Sequence, residues 1–309
     1  MADEHSWLPQ VPVGQWADAG FDWIDDNLSV LLTLFRDVMS SLINGLIDLL
    51  LMPPPLVMAL IFALIAWFVA SWKLALGSLV GLSLIVSMGM WTESMQTLAL
   101  VAVATLFAVL IAIPIGVLAA RNDTVSAVVR PILDFMQTMP GFVYLIPAVT
   151  FFSIGLVPGI FATIIFALPP GVRLTELGIR QVDQETVEAG YAFGASPGQI
   201  LRGIQLPLAT PSIMAGINQV IMLALSMAVI AGIAGADGLG KVIVESISRL
   251  NTPLGVEGGV SVVILAIYLD RLTAALGNRR AYSSSLLALA AGRRRRLAAA
   301  DKEALQSTV

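Results

Sequence analysis

The chain contains no cysteine and a single histidine, and only 12% of its 309 residues are charged. Without cysteine there are no disulfides and no thiolate metal sites. With His5 as the sole histidine, a buried histidine relay and a histidine-ligated metal centre are both excluded. The charged fraction is about half that of soluble globular proteins, and 57% of the residues are hydrophobic. Mean hydropathy over the whole chain is +0.87, too high for a surface that faces water. The composition predicts an all-α polytopic membrane protein.

The scarce charges outline the spans. None falls between Asp48 and Lys73, Lys73 and Glu93, Glu93 and Arg121, Asp134 and Arg173, or Arg202 and Asp237. A bilayer-crossing helix needs about 20 mostly apolar residues, and Gly155 and Pro158 divide the long gap after Asp134. About seven transmembrane helices are expected, near 56–72, 74–91, 95–120, 132–154, 158–172, 212–235 and 256–276.

Positive charge orients these spans. With the N-terminus outside, Lys73, Arg121, Arg130, Arg173, Arg180, Arg202 and the eight cationic residues from Arg271 onward lie inside, against Arg36, Lys241 and Arg249 outside. The C-terminus is then cytoplasmic, where Arg293 to Arg296 anchor the topology against anionic membrane lipid. The first 55 residues carry eight carboxylates and one arginine, with no signal-peptide pattern. Within them Leu31, Phe35, Val38, Leu42, Leu46 and Leu49 recur at helical spacing, interrupted by Asp37 and Asp48. Residues 28–51 therefore read as an amphipathic helix on the outer interface, ended by Pro53-Pro54-Pro55. Trp67, Trp72 and Trp91 fall where interfacial aromatic belts are expected.

Two strings imitate catalytic motifs. Gly235 to Lys241 fits the first seven positions of a phosphate-binding loop, but Val242 stands where Ser or Thr must hold magnesium. A helix cap in an outer loop explains it better. Gly194-Ala-Ser196-Pro-Gly198 matches a nucleophile elbow, yet that elbow needs a preceding strand and a histidine within reach. Nothing else supports an enzyme, a metal site, a cofactor bound by this chain or a nucleic-acid surface.

The longest inner loop, 173–211, is the most polar. Asp183 or Thr186 can cap a first short helix containing Val187, Tyr191 and Phe193; Gly194 suits the left-handed residue that closes it. Ser196 and Pro197 then look like the cap and first position of a second helix, running to about Gln205 and ending at Leu206-Pro207. Glu188-Ala189-Gly190, Gly194, Ile204, Leu206 and Pro207 match E-A-A-x3-G-x9-I-x-L-P at every place but Gly190. This loop resembles the EAA loop of ABC importer permeases, the segment that docks into a cleft on the ATPase subunit.

Further stretches are similar to the glycine betaine/L-proline (quaternary amine) importers, the ProW-like permeases. They are Arg130 to Pro147, Ile165 to Pro170, Gly194 to Pro197, Met222 to Met227 and Ile264 to Arg271. The resemblance spans roughly residues 15 to 280. It implies a type I ABC importer permease core in the bacterial inner membrane. It also implies a homodimer with two cytoplasmic ATPases, which carry ATP and magnesium, and an external substrate-binding protein. On that basis 1–55 forms an acidic external segment, 56–91 two accessory helices, 95–276 the core, and 277–309 a basic cytoplasmic tail. Glu188, Ala189, Gly190, Gly194, Ser196, Pro197, Ile204, Leu206 and Pro207 would couple to the ATPase.

Polar residues inside spans are costly and usually face the bundle interior. Gln219, Met222 and Ser226 share one helical face beside Asn218, and Gln137, Thr138 and Pro140 suggest a broken helix. These residues, Pro140 apart, are the candidates for a translocation path. Arg130 and Asp134 stand four apart and read as a structural pair; Asp270-Arg271 reads as an anchor for the last span. An ion-coupled secondary transporter, and other cargoes such as choline, carnitine or a sulfonate, remain open alternatives.

Overall fold

A computed structural model describes residues 11–277; His5 and the Arg293–Arg296 run lie outside the described residues. The described residues form twelve α-helices, three short 3-10 or π stretches and no strand. The helices are α1 (Val13–Leu51), α2 (Pro55–Val69), α3 (Trp72–Ser87), α4 (Trp91–Arg121), α5 (Asp123–Thr138), α6 (Leu145–Phe152) and α7 (Leu156–Arg180). They continue with α8 (Gln184–Ala192), α9 (Pro197–Ile200), α10 (Leu206–Ile230), α11 (Leu239–Ser248) and α12 (Thr252–Gly277).

Five of these segments are long and apolar enough to cross a membrane, or six if the bent pair α5 and 141–152 counts as one. The expected seven divides differently. Helices α2 and α3 hold 15 and 16 residues, about 22 and 24 Å at the α-helical rise, short of a hydrocarbon core of about 30 Å. They pack against each other and against α12, α2 through Phe62, whose carbonyl accepts from the Tyr268 hydroxyl at 3.2 Å, and α3 through Gly81, which faces Ile264.

Several expectations are corrected. Helix α1 is longer than the expected 28–51: it runs for 39 residues with a kink at Leu28, is long and apolar enough to cross a membrane, and buries Met39, Ile43 and Leu50. Asp37 and Asp48 point outward, so they do not interrupt that packing face. Phe35 fastens α1 to Phe152 and Phe161, with ring centroids 5.2 and 5.8 Å apart. Trp91 belongs to no exposed belt: it is 6% exposed, within the main core. Helix α7 continues past the expected end at 172, with Pro169 and Pro170 inside it, because both are buried between neighbouring helices that support a locally irregular ladder.

The core is the junction of α4, α7 and α10, the three most extensively packed helices. Two interruptions flank it. After α5 the chain turns by 107° at Met139-Pro140 before α6, the broken helix that Pro140 suggested. The Tyr144 hydroxyl reaches back to the Met136 carbonyl and satisfies one acceptor that the break orphans. Beyond α10, a 3-10 turn ends at Gly235 (φ 78°). The phosphate-loop imitation is thus a helix cap, and the Leu239 N–H donates to Thr97 Oγ1 at 2.8 Å.

Thr97→Val would leave the Leu239 amide buried without its acceptor, at about 1–3 kcal/mol. The purified protein in detergent should melt several degrees lower, whereas Thr97→Ser should melt like the parent; equal melting of Thr97→Val and parent would refute the role of this bond.

Candidate functional site

The loop between α7 and α10 is built by local signals. Asp183 caps α8, its carboxylate accepting from the Thr186 hydroxyl at 2.9 Å and the Thr186 amide at 3.3 Å. Gly194 closes α8 at φ 80°. The Gly194 amide donates to the Tyr191 carbonyl at 2.9 Å and the Ala195 amide to the Gly190 carbonyl at 3.2 Å. That pair of bonds is the Schellman pattern, which needs a left-handed residue where a side chain is strained. Ser196 starts α9 with a capping box: its hydroxyl accepts from the Gln199 amide at 3.4 Å, and the Gln199 side chain accepts from the Ser196 amide at 2.7 Å. The nucleophile-elbow imitation is therefore a helix cap, as its flanking residues implied.

The second helix does not end at Leu206-Pro207. It passes through a π turn, Leu201–Gln205, in which the Leu206 amide donates to the Leu201 carbonyl, and enters α10 directly. The wider turn relieves the clash that a proline ring makes with the carbonyl four residues back, here Gly203. The single departure from the EAA pattern also has a reason. A Cβ on Gly190 would run into the Ile200 side chain and lie 2.7 Å from Ile204 Cδ1. Glycine at 190 lets α8 fold down onto the helix that follows.

Val187, Ile204 and Leu206 pack against Ile179, Val182, Leu201 and Ala209, joining the loop to the end of α7 and the start of α10. Glu188, Ala189, Pro197 and Pro207 are exposed. Phe193 is 91% exposed and Tyr191 49%, an apolar tip on an otherwise polar projection.

Beside this loop lies an ion-pair network that sequence reasoning missed. Glu176, 5% exposed, accepts on one oxygen from Ser126 Oγ at 2.7 Å, Arg130 at 3.0 Å and Arg180 Nε at 3.0 Å. Arg180 also reaches Asp123 and the Ala119 carbonyl, each at 2.8 Å. Arg130 thus pairs with Glu176, not with Asp134, and Asp134 pairs with Arg173. The i, i+4 spacing within α5 is outcompeted by the facing side chains of α7. A cavity of about 320 Å³ lies among these groups. The available signal was Arg173, Glu176 and Arg180 at one-face helical spacing, hidden by ending the helix at residue 172.

The candidate path residues divide. Gln219 and Ser226 are exposed on α10, with Met222 half-buried between them. Gln137 and Thr138 are exposed at the end of α5, just before the break. Asn218 faces elsewhere and donates to Asp270 of α12 at 2.9 Å. Asp270 is therefore an interhelical partner within α12, not simply an anchor at its end.

Residues 112–282 match the family described as binding-protein-dependent transport system inner membrane component. The chain is 46% identical over 286 residues to the glycine betaine/proline betaine transport system permease protein ProW of Escherichia coli K12, covering 90% of this chain and 81% of that protein. It is 45% identical over 266 residues to the glycine betaine transport system permease protein OpuAB of Bacillus subtilis 168, covering 86% and 94%. A chain of the MetNI methionine ABC transporter in an inward-facing conformation matches with a TM-score of 0.53 and 25% identity, covering 61% of this chain and 93% of that one. Together with the helical bundle and its matching loop, these likenesses show that the chain belongs to the family of binding-protein-dependent inner membrane components, as a multi-pass permease of an ABC transporter and not an enzyme.

Proposed function

We propose that this permease imports glycine betaine, proline betaine or a closely related compatible solute by alternating access. The single observation that carries the reading is the α8–Gly194–α9 projection, whose exposed face holds Glu188, Tyr191 and Phe193 while its inner face is packed onto α7 and α10. A projection packed onto two long helices can pass a push from a soluble partner into the membrane. That partner is an ATPase subunit holding ATP and magnesium, present twice against a homodimer of this chain, and an external binding protein delivers the solute. Glu188, Ala189, Gly190, Gly194, Ser196, Pro197, Ile204, Leu206 and Pro207 build or brace the coupling surface.

The solute assignment rests on likeness to the two betaine permeases. Gln219, Met222 and Ser226 on the uncovered stripe of α10, with Gln137 and Thr138 at the α5 break, line the path in this reading. Asn218 instead supports the stripe from behind through Asp270. The N-terminus is external and the C-terminus cytoplasmic, with the core in 95–276 and the short apolar helices α2 and α3 as accessory elements outside it.

Three outcomes follow from these assignments. Gly194→Val forces a branched side chain into the left-handed region, and Phe193→Ala removes an exposed ring that nothing in the fold needs. Both should leave the permease folded, and Phe193→Ala should weaken ATPase capture roughly tenfold or more, as loss of a buried interface aromatic does. Undiminished capture of the ATPase by both variants would sink the docking assignment. Ser226→Cys, placed in a chain with no native cysteine, should react with a small polar thiol reagent and be protected by solute; complete protection in every nucleotide state would remove Ser226 from the path. Labelled glycine betaine should enter proteoliposomes only with permease, ATPase, binding protein and ATP together. Hydrolysis stimulated by the binding protein without betaine entry would discard the solute, and entry driven by an ion gradient without the ATPase would discard the importer mechanism.

A further inference from the structure

The Glu176 network lies between the coupling projection and the broken helix, and it joins α5 to α7 at one carboxylate and reaches α4 through Arg180. Ser126 and Arg130 reach it from α5, Arg180 from within α7, and Arg180 extends the connection to Asp123 at the start of α5 and to the Ala119 carbonyl at the end of α4. Apolar packing of Leu133 of α5 with Ala112 of α4 and with Leu168 and Val172 of α7 continues the same junction deeper in the bundle.

A buried ion pair contributes little net stability, because desolvation offsets most of the Coulombic attraction. What it contributes here is register. Three donors converge on Glu176 Oε1, and two of them, Ser126 and Arg130, come from α5, so sliding α5 along α7 by one helical turn, about 5.4 Å, would leave a buried carboxylate with Arg180 alone. The second pair, Arg173 with Asp134, sets the same register three residues further from the loop on α7 and four further along α5. The places that can yield lie elsewhere: the Pro140 turn beyond α5 and the π turn between α9 and α10. Local π turns commonly mark functional sites.

We propose that Glu176 is a positioning residue for transport. It makes the coupling loop, α7 and α5 one rigid arm, so that movement of the α8–α9 projection reaches the break at Pro140, and with it Gln137 and Thr138, without loss in between. This deepens the proposed function and rests on its assignment of 184–200 as the ATPase-facing segment. Bending is confined to the two irregular turns, at Pro140 and at 201–205.

The test uses the assembled permease–ATPase complex with its binding protein. Glu176→Gln keeps the side chain's size and removes its charge. The ATPase should be retained at the parental level, since α8 and α9 are untouched, while solute moved per ATP hydrolysed falls roughly tenfold, within the range of changes along a coupling route. Spin labels at Val128→Cys on α5 and Glu185→Cys on α8 should give one narrow distance, unchanged by ATP, in the parent and a broadened one in Glu176→Gln. Arg130→Gln, which removes only an exposed partner of the same carboxylate, should show the same two effects and decides the matter if Glu176→Gln does not assemble. A parental solute-to-ATP ratio with a narrow distance would overturn the proposal. So would fewer assembled complexes at an unchanged ratio, the mark of a merely structural residue. A parental complex that moves no solute on ATP would overturn the coupling reading itself; the label distances would still show whether Glu176 joins α5 to α7.

Discussion

Hydrocarbon offers a backbone no water, so each departure from a helix inside the bundle must find its hydrogen bonds within the protein. This constraint shapes every irregular segment of the fold. At the α5–α6 break the Tyr144 hydroxyl covers the Met136 carbonyl. Just beyond the C-terminal end of α10 the Gly155 amide donates to the Ala234 carbonyl at 3.1 Å, and Thr97 accepts from Leu239. At 201–205 the ladder widens to i, i+5 bonds instead of opening. At each of these three points a named partner within the protein takes up the bond that the regular ladder gives up.

The same reasoning accounts for the division between stiff and yielding parts. Helices α4, α7 and α10 form the packed junction, and the carboxylate of Glu176 adds polar register to apolar packing on one side of it. Apolar packing alone permits small slips between helices, because one methyl neighbour substitutes for another at little cost. A buried carboxylate with three converging donors has one good arrangement. Specificity of position, more than stability, is the physical yield of burying Glu176 near the loop that joins α7 to α10.

Local features of the loop were legible in the sequence because their causes are local. Gly194 closes α8 through bonds to Tyr191 and from Ala195 to Gly190, all within six residues. Ser196, Pro197 and Gln199 define a helix start within four. Asp183 was read as a possible cap on the same ground and serves as one. Glu176 was not legible: two of its partners stand 46 and 50 residues away on α5, and the span that leads into it was expected to end at residue 172. Arg130 and Asp134 show the corresponding error, since spacing on one helix says nothing of the stronger partners facing them from another.

Composition by itself determined that this is an all-helical membrane protein without disulfides, thiolate metal sites or histidine chemistry, because those conclusions depend only on which side chains exist. Sequence pattern also located the projecting loop and the break at Pro140, because capping and proline act on their immediate neighbours. Tertiary structure alone decided that α1 packs into the bundle, that Trp91 is buried, that Asn218 turns to Asp270, and that α9 continues into α10 through a π turn. Each depends on which faces of separate helices meet, and helical periodicity marks a face without naming the neighbour that will cover it.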